Sequence, residues 1–167
     1  EVWRDLFSVE VLTELGTSAQ RVAFSHNILF DFAVSVLLIE DDPALVGAFL
    51  AEEPSRPVFL RPSLTYYFTR LWFDDRDAFW KVACFLLTSA EVHLRLFGRV
   101  VPMAVVVREA RSADDLAPIV QSVERNEPAA PDAVLRLLQA RRAINTGPAE
   151  MWLAVFEQLV NHPDRRF

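Results

Sequence analysis

Only four glycines occur in 167 residues, against ten prolines, and that imbalance narrows the folds open to this chain more than any other feature. Glycine is the residue that adopts the left-handed backbone of tight hairpins and lets a main chain approach a phosphate closely, so folds rich in either are disfavoured. Proline in a first helical turn, or just past a helix end, acts as punctuation. Hydrophobic residues make up 52% of the chain, with thirteen Phe and four Trp, so the stretches between punctuation marks must pack into a core. The expectation is an all-α body of short helices, one domain long enough to bury roughly two thirds of its unfolded surface.

Taken in order, Val2 to Leu15 reads as a first helix that ends at Gly16. Thr17 to Gln20 is turn-like, and Arg21 to Phe24 forms a short strand with Val22 and Phe24 on one face. Ser25 is placed to cap a helix over His26–Ile39, and Asp42 with Pro43 opens the next, which runs to about Ala51. Pro54, Pro57 and Pro62 mark turns, after which Leu64, Tyr67, Phe68 and Leu71 lie at i, i+3, i+4, i+7 on one helix face. The acidic run Asp74–Asp77 caps a helix bearing Phe79, Trp80, Ala83, Leu86 and Leu87. Thr88 with Glu91, and Ser112 with Asp115, are capping-box spacings that open two more. Pro102 should kink or restart the helix it falls in, because it lacks an N–H and crowds the carbonyl one turn back. Asn126 to Pro131 is the most linker-like stretch, and Gly147 with Pro148 starts the last helix.

Eight or nine helices of about 10 to 15 residues follow from this reading. Their sequential spacing predicts an irregular α-α superhelix of armadillo or HEAT character, with repeats of about 40 to 47 residues. A compact irregular helical bundle stays open beside it. The expected division is an entry segment over residues 1–24, with strand or turn character near 17–24, followed by a helical array over residues 25–167.

One stretch is unusual. Ten of the fourteen residues from His26 to Ile39 are apolar, and Asp31 is the only formal charge among them. A helix apolar around most of its circumference is expected to be covered on several sides, which makes it the candidate central helix. Its polar residues Asn27, Asp31 and Ser35 fall at i, i+4, i+8 and so share a narrow stripe, with His26 at the helix mouth. That stripe should meet a polar neighbour.

Charge limits the partners. The net charge is −6, and the arginines are scattered, whereas a nucleic-acid surface gathers positive charge on one face. Nucleic acid is therefore not expected, nor is a membrane span, since no apolar run approaches about 20 residues. A single cysteine, Cys84, cannot form an internal bridge and suits a reducing, cytoplasmic setting. Set among Phe and Leu, its thiol should be a protonated small hydrophobe. His93 and His162 show no ligand spacing, so neither a metal site nor a catalytic residue is assigned. The aromatic group from Tyr66 to Trp80 reads as core, with a partner surface as the alternative. A start at Glu1 suggests an excised piece of something longer.

Phe24-x-His26-x-x-Leu29-x-Asp31-Phe32-x-x-Ser35 resembles the motif that closes the winged-helix region in NACHT-like members of the STAND class of signalling ATPases. In those proteins the motif ends the NTPase module and leads into helical repeats. The resemblance implies that His26 senses nucleotide phosphates held by an upstream module, and that Asp31 fixes the helix against that module. Asn27, Asp31 and Ser35 would then be interdomain contacts. Ser35 stands where the family often has alanine, and no GxxxxGK[ST] loop is present, so ATP or ADP would belong to the parent protein and not to this fragment. The resemblance thus implies a non-catalytic coupling and protein-binding segment, partnered by the upstream NTPase module and by other proteins. Two rivals follow from the residues alone: a free-standing helical scaffold for a protein or peptide, and a small-molecule enzyme using Asp31 and His26.

Overall fold

A computed structural model describes residues 2–14, 22–88, 96–128, 130–144 and 148–160. Of these described residues 78% are helical, so the protein is all-α and its small sheet is an appendage. The chain begins with α1 (Val2–Ser8), β1 (Leu12–Glu14), β2 (Val22–Phe24), α2 (Asn27–Leu37), α3 (Pro43–Ala51) and α4 (Arg56–Phe59). It continues with α5 (Arg61–Asp74), α6 (Arg76–Thr88), α7 (Leu96–Glu109), a 3-10 turn (Ala113–Leu116), α8 (Ala117–Glu124), α9 (Ala130–Ala143) and α10 (Ala149–Val160).

The first expected helix is cut short. Glu10 takes φ 56°, and the N–H groups of Glu10 and Val11 bond back to the carbonyls of Phe7 and Leu6, the two-bond closure of a left-handed helix end. The chain then extends into β1, which pairs antiparallel with β2 in the register Leu12 to Phe24 and Glu14 to Val22. Thr17 to Gln20 and Gly16 lie outside the described residues. Ser25 does not cap α2; its hydroxyl donates to the Glu10 and Val11 carbonyls, and its backbone N–H, bonded to the Val11 carbonyl at 3.0 Å, continues the ladder by one bond. His26 holds the capping position instead, in extended conformation.

The expected capping of α3 holds, with the Asp42 carboxylate accepting from the N–H groups of Ala44 and Leu45 at 2.9 and 3.1 Å. Asp75 does the same for α6 through the Ala78 N–H. Thr88, by contrast, ends α6 instead of opening a helix, and Glu91 and His93 lie outside the described residues. Pro102 neither restarts nor ends α7, which runs through it from Leu96 to Glu109. Val101, Met103, Val105, Val106 and Val107 are all buried around it, and burial of that size outweighs the roughly 3 kcal/mol a mid-helix proline costs.

The hub is not α2 but α5, which with α6 and α7 is one of three helices that, among the described residues, each touch four others. Leu64, Tyr67, Phe68, Leu71 and Trp72 are all buried along its inward face, and α5 packs against α2, α4, α6 and α7. Edge-to-face contacts run Tyr67–Phe68, Phe68–Phe79 and Trp72–Phe79 at 5.1, 5.7 and 5.0 Å, so most of the aromatic group from Tyr66 to Trp80 is core. Tyr66 and Phe73 are exposed. On α2 only Val34 and Ser35 are buried. Beyond the hub, α7 packs on α9, and α8 on both α9 and α10.

Candidate functional site

The stretch from Phe24 to Ser35 folds into the end of β2, a two-residue bend and all of α2 but its last two residues. The Phe24 ring meets Phe30 edge-on at 6.1 Å, which joins the sheet to the helix it feeds. His26 is exposed, and its carbonyl accepts from the N–H groups of Leu29 and Phe30; its imidazole makes no capping bond. Asn27 is exposed beside it.

The rest of the stripe points into the protein. Ser63, completely buried on α5, donates to the Asp31 carboxylate at 2.7 Å. Ser35 is 2% exposed and bonds to the Phe32 carbonyl one turn back. Past the helix end, the Tyr67 hydroxyl donates to the Glu40 carbonyl at 3.1 Å, and Arg70 pairs with Asp41 at 2.7 Å. Burial first, and then the Asp41 carboxylate, push the Tyr67 hydroxyl well above its ordinary pKa, so it stays a donor. Ser63, Tyr67 and Arg70 at i, i+4, i+7 therefore bind α2 and its C-terminal extension to α5 along one polar seam. The polar neighbour expected of the stripe is, for Asp31, α5 of the same chain, while Ser35 bonds back to its own helix.

Sequence reasoning missed Ser63. Its signal is a small polar residue adjoining the stripe of Leu64, Tyr67, Phe68 and Leu71, where a buried hydroxyl demands an acceptor.

With that side turned inward, the apolar side of α2 faces out. Ile28, Phe32, Val36 and Leu37 are 65%, 55%, 45% and 76% exposed. Ile28, Phe32 and Val36 form an i, i+4, i+8 row, and Phe32 meets the exposed Tyr66 ring edge-on at 6.5 Å. This dressing is the reverse of that of a surface helix, which turns polar residues to water.

As chemistry, His26 and Asp31 do not form a base and its orienter, since Asp31 is bonded to Ser63 and the His26 imidazole has no hydrogen bond to it. Burial, with a smaller contribution from Glu127, raises the Cys84 thiol above its ordinary pKa and keeps it protonated. No group of three or more His, Cys, Asp or Glu able to hold a metal is found among the described residues, and no helix among them is long and apolar enough to cross a membrane. His162 lies outside them. No family model matches the chain, and no curated protein and no solved structure is significantly similar to it.

Proposed function

We propose that the chain is a non-catalytic helical segment of a larger STAND-like ATPase, serving as an interdomain coupling and protein-binding platform in signalling or defence in the cytoplasm. The observation that carries this reading is the inverted dressing of α2, with Asp31 bonded to Ser63 of α5, Ser35 buried, and the row Ile28, Phe32 and Val36 in solvent. Large apolar side chains gathered on one exposed helix face mark a contact surface. This face begins directly after β2 and His26, where the motif resemblance puts the junction with an NTPase module.

In this arrangement His26 and Asn27, at the mouth of α2, stand nearest the upstream module and its ATP or ADP. Asp31, held by Ser63, and Asp41, held by Arg70, make α2 and α5 one piece, so a shift at the mouth is passed to the hub. From there α5, α7 and α9 pack in succession, and α8 packs on α10. That order supports an armadillo- or HEAT-like superhelix following an entry segment over residues 1–24. Nucleotide exchange upstream would select between two positions of this array.

The test is ADP retention by the parent protein. His26→Ala is expected to speed ADP loss by about tenfold, within the usual range of coupling between sites. Unchanged retention and signalling would remove the sensor role and leave a free-standing protein-binding scaffold as the reading.

A further inference from the structure

A second surface adjoins the first. Arg61, Thr65 and Thr69 follow one another at i, i+4, i+8 along α5, Pro62 and Tyr66 lie next to them, and Arg108 enters from α7. Together these six residues line an open groove of about 470 Å³. Arg108 donates to the Thr69 hydroxyl at 2.8 Å, which sets it at the far end from Arg61. Eight residues of helix separate those ends by about 12 Å.

The charges in the groove are unevenly satisfied. Arg108 gives its Nε to Glu109 at 2.6 Å and an Nη to Thr69, leaving its other Nη without a partner among the described residues. The Arg61 guanidinium has neither an ion pair nor a hydrogen bond among them. Arg108 is thus ion-paired, as are Arg56 with Glu52, Arg70 with Asp41 and Arg76 with Asp115, and keeps one Nη for a partner, while Arg61 keeps its whole charge, in a chain of net charge −6. Electropositive potential concentrated in a groove attracts and orients an anionic partner.

The groove is too long and too open to enclose a small anion. Its Tyr66 wall is the ring that meets Phe32, so it shares an edge with the apolar row of α2. We infer that the groove seats a segment of a partner protein that is acidic along one side and apolar along the other. Two of its carboxylates, about 12 Å apart, meet Arg61 and Arg108, while its apolar side chains lie over Tyr66 and Phe32. That distance is about two turns of helix or about four residues of extended chain. The inference rests on the protein-binding half of the proposed function and names the chemistry of the partner.

The experiment selects a random peptide library displayed on phage against the 167-residue chain, and measures enriched peptides by fluorescence anisotropy on the unaltered chain and on R61E/R108E. Both substituted side chains are exposed, and an unchanged thermal melt checks the fold; R61Q serves as a milder second variant. Enriched peptides are expected to carry acidic residues at one of those two spacings and to bind R61E/R108E at least tenfold more weakly. They should bind R61Q more weakly as well, and regain affinity for R61E/R108E when their acids are replaced by lysine. No enrichment above background, enrichment without acidic residues, or equal affinity for R61E/R108E would each overturn the groove. Peptides lost on Ile28→Asp yet kept on R61E/R108E would overturn it too, while leaving the α2 face as a docking surface. ADP retention by the parent protein reports on the coupling role separately from all of these.

Discussion

At the scale of single residues, Asp31 and Ser63 decide which way α2 faces. An apolar helix laid on a hydrophobic hub would ordinarily bury its oiliest side, yet α2 turns in the side that carries a carboxylate. The buried Ser63 hydroxyl supplies the reason, because a polar group without a partner in a core costs about 1–3 kcal/mol and Asp31 provides the acceptor. Asp31→Ala is therefore expected to destabilise the chain by about 1–3 kcal/mol in urea unfolding, whereas Asp31→Asn, which keeps an acceptor oxygen, should cost less than about 1 kcal/mol. The cycle completed by Ser63→Ala and the double variant should show a coupling of about 1 kcal/mol. Additive single losses would mean that the bond does not set the orientation. The stripe itself is legible in the sequence as Asn27, Asp31 and Ser35. Its direction is not, since the partner sits 32 residues away and a polar stripe on an isolated helix ordinarily means solvent.

At the scale of elements, the 3-10 turn Ala113–Leu116 shows local chemistry that the sequence does disclose. Asp115 accepts from the N–H groups of Arg111 and Ser112 at 2.8 and 3.1 Å and from Arg76 of α6 at 2.6 Å, so one carboxylate closes the turn and ties it to a neighbouring helix. Its partial burial alone would raise its pKa; the two backbone N–H groups and the Arg76 guanidinium outweigh that and hold it below the ordinary carboxylate value. A lowered folded-state pKa contributes stability that is fully present above the unfolded value, about 3.9, and is lost as pH falls through the folded one. Thermal melts of the native chain and Asp115→Asn should thus differ most at neutral pH and converge below about pH 4. A gap that stays constant down the acid range would refute the assignment. Caps such as Asp42 and the Ser112–Asp115 pair are readable because their partners lie within four residues. The short strand β1 and the continuity of α7 are not. Three residues give no alternation to recognise, and the penalty of Pro102 is offset by packing on α5 and α9 that no local pattern records.

For the whole molecule, the question is where the packing converges, and hydrophobic content alone misleads. Both α2 and α3 are more apolar than α5, yet α5, with mixed composition, is one of three helices, with α6 and α7, that four other helices touch among the described residues. Its stripe of Leu64, Tyr67, Phe68 and Leu71 is visible in the sequence by period, while its centrality follows from long-range contacts that periodicity does not encode. Two phenylalanines on this one helix separate the two ideas. Phe68 is wholly buried, in edge contact with Tyr67 and Phe79, and Phe73 is 67% exposed. Phe68→Ala removes the same atoms as Phe73→Ala, yet it opens a cavity at the point where α5 meets α6, and is expected to cost about 3–5 kcal/mol. Phe73→Ala should stay within about 0.5 kcal/mol. Because α2, α4, α6 and α7 all rest on α5, the Phe68→Ala loss should appear as one shifted transition, coincident by tryptophan fluorescence and far-UV circular dichroism. Two separated transitions would mean that the helices after α7 stand independently of the hub, and comparable losses for the two variants would move the centre of the fold away from α5.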